Sequence, residues 1–148
     1  MSWSLDLIRT GTNSEPYSTE KDVIPFKKDE IIKTLSEISE IIDIRIEESE
    51  IVSVEDTEIA LDSFFIIHIY GNNYSIELVF YNWCAYSEKD MTYDTIELQI
   101  RGSTEPKEFL SLFAEKLRAR LFDTSAGNFW TGDDSGFSDW KKLCDRIV

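Results

Sequence analysis

Apolar residues recur at every second position in several segments of the chain, a spacing typical of β-strands that turn one face toward a core. These segments begin at Trp3, Ile42, Tyr74 and Ile96. Most of the intervening residues are polar, and a solvated opposite face is predicted for the segments that begin at Ile42, Tyr74 and Ile96. In the second segment, Ile42, Ile44 and Ile46 form the apolar face and charged residues form the single wet side.

Residues 64–70 differ from these segments because nearly all of them are apolar. Such a run predicts a central strand that is covered on both faces. Residues 71–73 (Gly-Asn-Asn) tolerate the positive φ of a tight turn. They predict a β-hairpin that joins this strand to the segment beginning at Tyr74. A further short strand is predicted over residues 51–54, between acidic flanks.

Helical spacing replaces the alternation in the remaining apolar segments. A first amphipathic helix is predicted over residues 27–39, where apolar positions are Ile31, Ile32, Leu35 and Ile38. A longer helix is predicted over residues 105–121, where the apolar stripe consists of Phe109, Leu110, Phe113, Leu117 and Leu121. Ser138 is predicted to cap a short last helix, whose apolar side consists of Trp140, Leu143, Cys144 and Ile147.

The order of these elements indicates the fold class. Several strands follow one another with no helix between them, which favours an antiparallel β-meander over a parallel, doubly wound sheet. The sequence therefore predicts an α+β fold with an N-terminal helix, a long amphipathic helix after the sheet and a short C-terminal helix. Because the chain has 148 residues and no internal repeat, residues 1–148 are predicted to form one domain.

Acidic residues outnumber basic ones by 29 to 15, which gives a formal net charge of −14. A surface of this sign repels phosphate backbones and anionic lipids, so no direct contact with nucleic acid or membrane is expected. The same field attracts a basic protein and accelerates its association. Solubility alone is the alternative explanation for the acidity.

Half of the net charge lies in residues 43–62, which contain eight acids and one base. These acids are Asp43, Glu47, Glu48, Glu50, Glu55, Asp56, Glu58 and Asp62. A solvated face is the ordinary explanation of such a run. Aromatic residues among polar ones, including Trp83, Tyr86 and Trp130, either cap the core or join the acids in a protein-binding surface.

Candidate catalytic groups are few. His68 is the only histidine, and its place in an apolar run favours a structural or partly exposed role. Glu77 and Glu97 lie on neighbouring predicted strands, but each occupies the polar phase of its strand, so a solvated face explains both. No phosphate-binding loop, dinucleotide fingerprint or serine-hydrolase elbow occurs. The sequence therefore predicts a protein that is not an enzyme.

Metal ligands and targeting signals give the same negative result. One histidine and two distant cysteines offer no zinc spacing, and the acids of the last 30 residues do not follow the order of a calcium loop. No metal and no cofactor is therefore expected. No basic leader and no apolar run of about 20 residues occurs, so a cytoplasmic location is expected.

In size, charge and the order of helix and meander, the chain resembles the small acidic immunity proteins with which bacteria neutralise nuclease and other toxins. No diagnostic motif accompanies this resemblance. It implies stoichiometric inhibition, in which acidic side chains occupy the basic cleft of a cognate toxin domain and aromatic residues anchor the contact. The expected partner-binding residues are Glu47, Glu48, Glu50, Glu55, Asp56, Glu58, Trp83, Tyr86 and Trp130.

Two other functions fit the same sequence. The first is an acidic accessory subunit or phage-type inhibitor that binds another basic host protein. The second is a small hydrolase built around His68 or around the pair of Glu77 and Glu97.

Overall fold

The computed structural model describes residues 2–11, 23–48, 52–54, 57–59, 65–81, 92–132 and 135–147. Within them, eleven strands and three helices follow one another along the chain. The elements are β1 Trp3–Ile8, β2 Phe26–Lys27, α1 Lys28–Ser36, β3 Asp43–Glu48, β4 Val52–Val54, β5 Thr57–Ile59, β6 Phe65–Gly71, β7 Tyr74–Tyr81, β8 Thr92–Tyr93, β9 Thr95–Gly102, α2 Lys107–Leu117, β10 Arg120–Asp123, β11 Asn128–Phe129 and α3 Ser135–Ile147.

Seven strands form one sheet in the order β11, β10, β1, β9, β7, β6, β3. Every neighbouring pair in this sheet is antiparallel. The predicted α+β class and the antiparallel sheet are therefore confirmed. The first strand lies between β9 and β10, so the chain returns after α2 to pair with its own beginning. Among the described residues, β2 with β8 and β4 with β5 form separate two-stranded ladders.

The predicted hairpin joins β6 to β7. Gly71 pairs with Tyr74, and Asn73 in the turn has a φ of 66°. The Tyr74 ring lies so close over Gly71 that a Cβ there would collide with its Cζ and Oη atoms. The Tyr74 hydroxyl donates a 2.7 Å hydrogen bond to Glu40 Oε1. Burial and this hydrogen bond raise the pKa of Tyr74.

The core lies on the inner face of the sheet, where residues of neighbouring strands line up in rows. The Trp3 row consists of Trp3, Ile100, Ile76 and Ile69. The Leu5 row consists of Leu5, Leu98, Leu78 and Ile67. All eight side chains are at most 1% exposed. The predicted alternation thus becomes continuous apolar bands across the sheet.

The helices complete this core. The α2 residues Phe109, Leu110, Phe113 and Leu117 are buried, as predicted from their spacing. Helix α1 contacts α2, and α3 contacts β1. Among the described residues, no helix is long and apolar enough to cross a membrane.

The second helix is shorter than predicted. Helix α2 ends at Leu117, because Arg118 adopts a left-handed conformation with a φ of 53°. The next amide, of Ala119, donates to the Ala114 carbonyl at 2.9 Å and closes the helix end. The prediction of a helix through residue 121 was wrong. Leu121 keeps the helical apolar spacing but is buried on β10.

Helix α3 begins at Ser135, three residues before the predicted cap Ser138. Its 13 residues make it longer than the 11-residue α2, so the predicted contrast of a long second and a short last helix does not hold. Phe137 at its start is buried, whereas Leu143 is 49% exposed.

The prediction that residues 64–70 form a central strand covered on both faces was also wrong. Strand β6 is the second strand from an edge of the sheet. Ile67 and Ile69 are buried on its inner face, but Tyr70 on the other face is exposed. The continuous apolar run therefore indicates a strand here, but it does not indicate that both faces of the strand are buried.

Arg9 and Glu30 connect the end of β1 to α1. Arg9 Nη1 lies 2.6 Å from Glu30 Oε1, and Arg9 Nη2 lies 3.1 Å from Glu30 Oε2. Arg9 also donates to the Leu117 carbonyl at 3.1 Å, so one guanidinium connects α1 and the end of α2 to the end of β1. The hydrogen bond from Arg9 holds the pKa of Glu30 below its ordinary value of 4.5.

We expect Glu30→Gln to lower the free energy of unfolding at pH 7, because it removes the ion pair with Arg9. The loss should be only about 1 kcal/mol, since solvent partly screens this pair. A carboxyl group whose pKa falls on folding stabilises the protein fully above its unfolded pKa, and this stabilisation disappears as the pH falls through the folded pKa. The difference between the two proteins should therefore shrink below pH 4.5. Urea unfolding at a series of pH values measures it, with Glu115→Gln on α2 as the control. A difference that stays constant with pH would contradict this role for Glu30.

Candidate functional site

Strand β3 forms an edge of the seven-stranded sheet, and its isoleucines extend the two buried rows. Ile44 pairs with Ile69 of the Trp3 row, and Ile46 pairs with Ile67 of the Leu5 row. At the β3 end of each row the side chains are no longer buried: Ile44 is 36% exposed and Ile46 is 46% exposed. Ile42, just before the strand, is 70% exposed. The predicted strand is confirmed, but the prediction of a single wet side was wrong.

The opposite face of β3 carries the charged residues Asp43, Arg45 and Glu47. Arg45 Nε lies 3.2 Å from Asp43 Oδ2, and its guanidinium lies 5.5 Å from the centre of the Tyr70 ring. Glu47 has a side chain that is 67% exposed. The Asp43 side chain, which contacts Arg45, is 51% exposed, so Glu47 is the more accessible of these two carboxylates.

His68 connects this edge to the next strands. Its Nε2 lies 3.3 Å from Glu47 Oε1, and its Nδ1 lies 3.6 Å from Glu77 Oε1. Glu77 Oε1 also lies 3.3 Å from Arg101 Nη1. The result is a line of alternating carboxylates and nitrogen groups across the outer face of β3, β6, β7 and β9. In this line, the partly buried His68 lies between the carboxylates of Glu47 and Glu77.

Glu77 and Glu97 share the outer face but do not lie opposite each other. In the register of β7 and β9, Glu77 pairs with Gln99, and Glu97 pairs with Val79. The two carboxylates therefore occupy diagonal positions. Gln99 Nε2 donates to Glu97 Oε1 at 2.8 Å, whereas Glu77 accepts from Arg101. Each carboxylate thus has its own contacts on the surface of the sheet.

The structure separates the predicted partner-binding residues into groups. Glu47 is exposed on β3, and the backbones of Glu48 and Glu58 lie in β3 and β5. Trp130 follows β11 at the opposite edge of the sheet. The others lie outside the described residues: Glu50, Glu55, Asp56, Trp83 and Tyr86.

Trp130 packs against the core rather than beside the acidic strand. Its Nε1 donates to Glu105 Oε1 at 3.0 Å, and its amide donates to the Leu121 carbonyl at 2.8 Å. Six strand spacings separate β11 from β3, which corresponds to roughly 29 Å across the sheet. The structure therefore does not bring Trp130 and Glu47 together into one compact site.

A cleft of about 490 Å³ lies between the start of α2 and α3. Three lysines line it, and two of them lie close to oxygen atoms of the chain itself. Lys141 Nζ donates to the Ser103 carbonyl at 3.0 Å, and Lys107 Nζ lies 3.7 Å from Glu105 Oε2. The residues that line this cleft include none from β3, so it is separate from the exposed isoleucines.

Sequence reasoning missed the exposed isoleucines because their alternation equals that of the buried β9. One sequence signal does distinguish the two strands. In β3 all the intervening positions are charged, Asp43, Arg45 and Glu47, whereas β9 also contains Gln99. Strands at the edges of sheets are enriched in charged side chains. Charge density in the polar phase therefore favours the edge position that the structure shows.

Groups that could hold a metal ion are absent from the part of the chain that the structure describes. Asp123, one of the acids in the last 30 residues, accepts hydrogen bonds from the protein itself: Ser125 and Ala126 donate to its Oδ1. The chain was also compared with protein-family models, with curated proteins and with solved structures. None of these comparisons gives a match.

Proposed function

We propose that the chain is a stoichiometric inhibitor that binds a basic partner protein, a cognate toxin domain, through the β3 edge of its sheet. The observation that carries this proposal is the exposure of Ile44 and Ile46 on β3, and of Ile42 just before it, beside the charged residues of this strand. Apolar anchors contribute binding energy, while exposed charge accelerates association and selects the partner. Both properties occur together on β3.

The isoleucines are large enough to matter for affinity. Full burial of one isoleucine side chain contributes about 1.5–3 kcal/mol. Since these three side chains are 70%, 36% and 46% exposed, a partner that covered what remains would gain on the order of 3 kcal/mol. Such a gain corresponds to a factor of roughly one hundred in the dissociation constant.

The charge fits the kind of partner that the resemblance to immunity proteins implies. A nuclease binds the phosphate backbone with a cleft rich in lysine and arginine. A protein with a net charge of −14 is attracted to such a cleft and competes with nucleic acid for it. Inhibition then follows from occupancy of the cleft, with no catalytic step by this chain. An acidic inhibitor of another basic host protein would use the same edge and the same forces.

A titration tests the proposal. The product of the adjacent reading frame is produced, and its toxic or nuclease activity is measured while the chain is added. A basic product whose activity falls to zero at equal molar amounts would support stoichiometric inhibition. A neighbouring gene for a metabolic enzyme, or a basic product whose activity the chain leaves unchanged, would overturn it.

We expect Glu47→Lys to slow association with the basic partner about tenfold at low ionic strength. The variant should also weaken the salt dependence of the association rate, because fewer attractive charges remain to be screened; the Debye length is about 10 Å at 0.1 M salt and longer below it. Stopped-flow kinetics at several salt concentrations measures both quantities. Glu115→Lys on the exposed side of α2 makes the same change in net charge and should have a smaller effect. Equal slowing by both variants would show that net charge, and not the β3 edge, directs the encounter.

A further inference from the structure

Among the described residues, the backbone of β3 has a partner strand on only one side. Its six residues pair with β6, and β3 ends the sheet. In an antiparallel edge strand, alternate residues direct their N–H and C=O groups away from the sheet. The Ile44 amide donates to Asp43 Oδ1 at 3.0 Å, so a carboxylate of its own strand contacts this group. An incoming strand can replace that contact with a backbone hydrogen bond.

Within β3 itself, several of the usual devices against strand addition are absent. Exposed edges are commonly protected by charged side chains, above all lysine, by proline, by a bulge or by a very short strand. Four of the six residues of β3 are charged, but three of these four are acidic, so they oppose an acidic strand and favour a basic one. The sequence of β3 is Asp-Ile-Arg-Ile-Glu-Glu, which contains neither proline nor lysine, and it pairs with β6 in an unbroken register. Its one basic residue, Arg45, folds onto Asp43 and Tyr70. The edge therefore combines free pairing capacity with an open apolar face.

We propose that the basic partner adds a strand to β3, and this inference rests on the proposed function. The added segment alternates apolar and basic side chains. Its apolar side chains lie beside Ile44 and Ile46, where they continue the Trp3 row and the Leu5 row by one further strand. Its lysine or arginine side chains face Glu47 on the other side of the sheet. Backbone hydrogen bonds give affinity in this mode of recognition, and the alternating side chains give specificity.

Charge favours a basic partner over a second copy of the chain. Two copies would each bring a net charge of −14 to the contact, and repulsion between them opposes association. Opposite charges on directly facing residues of neighbouring strands are stabilising, whereas like charges are destabilising. A segment with lysine or arginine opposite Glu47 satisfies this rule.

The test uses a capped peptide of eight residues that alternates valine and lysine. Its control has the same sequence with the four central amides N-methylated, which keeps the charge and the side chains but removes the N–H donors that strand pairing needs. NMR titration of the whole chain measures both affinities. We expect the unmodified peptide to bind at least about tenfold more tightly, which equals about 1.4 kcal/mol. We also expect slower hydrogen exchange at the outward amides of β3 when it is bound.

Protein variants locate the contact. Ile46→Lys should abolish binding of the unmodified peptide, whereas Leu143→Lys should leave it unchanged. Both positions are apolar and about half exposed, at 46% and 49%, and both variants add one positive charge. Equal affinity for the two peptides, or equal loss in the two variants, would overturn strand addition. Sedimentation and hydrogen exchange test the alternative that two copies pair. A dimer of the chain alone, with protected β3 amides, would overturn the proposal that the added strand comes from a basic partner.

The outcomes separate this inference from the proposed function. If the adjacent basic protein is inhibited in a Glu47-dependent way but both peptides bind equally, inhibition stands and strand addition fails. If the unmodified peptide pairs with β3 but no basic protein is inhibited, strand addition stands and the inhibitor function fails.

Discussion

Replacement of Asp123 by alanine should lower the free energy of unfolding by about 3 kcal/mol, because it leaves several donors without an acceptor. Asp123 is buried at the end of β10. Its Oδ2 accepts from Trp3 Nε1 at 3.1 Å, and its Oδ1 accepts from the Ser125 hydroxyl at 2.8 Å and the Ala126 amide at 3.1 Å. One carboxylate thus joins β1 to the turn that follows β10. Chemical denaturation monitored by tryptophan fluorescence measures the loss.

Gly136 gives this prediction an internal control. A Cβ at Gly136 would collide with Asp123 Oδ2, and it would lie 3.3 Å from Trp3 Nε1. Gly136→Ala should therefore destabilise the protein when Asp123 is present and should do so much less in the Asp123→Ala background. A double-mutant cycle measures this coupling, which is typically 0.5–3 kcal/mol for residues in contact. Additive effects of the two substitutions would show that Asp123 and Gly136 do not share this contact.

The strands that sequence reasoning predicted best are those whose alternation matches a covered face. Strands β1, β7 and β9 have buried residues at the predicted positions, and the Gly-Asn-Asn turn between β6 and β7 is confirmed. In these segments the local pattern and the tertiary environment agree. The pattern of hydrophobic residues was therefore sufficient to predict the antiparallel sheet and the α+β class.

The end of the fold was less predictable because its structure depends on distant partners. Residues 120–123 become a strand through pairing with β1, in which Leu7 faces Leu121 and Leu5 faces Asp123. More than 110 residues separate these partners, and Leu121 happens to continue the helical spacing of α2. Local pattern alone therefore assigned it to the helix. A tertiary contact overrode that assignment.

The candidate site was missed for a related reason. Whether Ile44 and Ile46 are covered depends on which strand ends the sheet, and this is decided by pairing between distant segments. Because β1 enters the sheet beyond β9, the meander keeps its first strand, β3, at the opposite edge. The acidic residue Glu47, by contrast, was predicted as a partner-binding residue and lies exposed on this edge. The charge of Glu47 follows from the local sequence, whereas the exposure of the isoleucines depends on which strand ends the sheet.

Leu78→Ala should lower the free energy of unfolding by about 2–5 kcal/mol, because it opens a cavity in the middle of the Leu5 row. Ile46→Ala, at the end of the same row, should cost about 1 kcal/mol or less, since solvent already reaches nearly half of that side chain. Leu78 is fully buried and Ile46 is 46% exposed. Thermal and urea unfolding of the two variants measures the contrast. In a domain of this size the larger loss should lower the melting temperature by roughly 10 °C.

Binding should show the reverse order. Ile46→Ala should lower the affinity for the basic partner and for the alternating valine–lysine peptide by several-fold, because it removes apolar surface that the added strand covers. Leu78→Ala should leave the affinity of the remaining folded protein nearly unchanged, since Leu78 is not accessible to a partner. A large stability loss in Ile46→Ala with unchanged binding would show that the isoleucine serves the fold. Loss of binding with little loss of stability instead makes the end of the Leu5 row part of an interface that the folded chain does not itself cover.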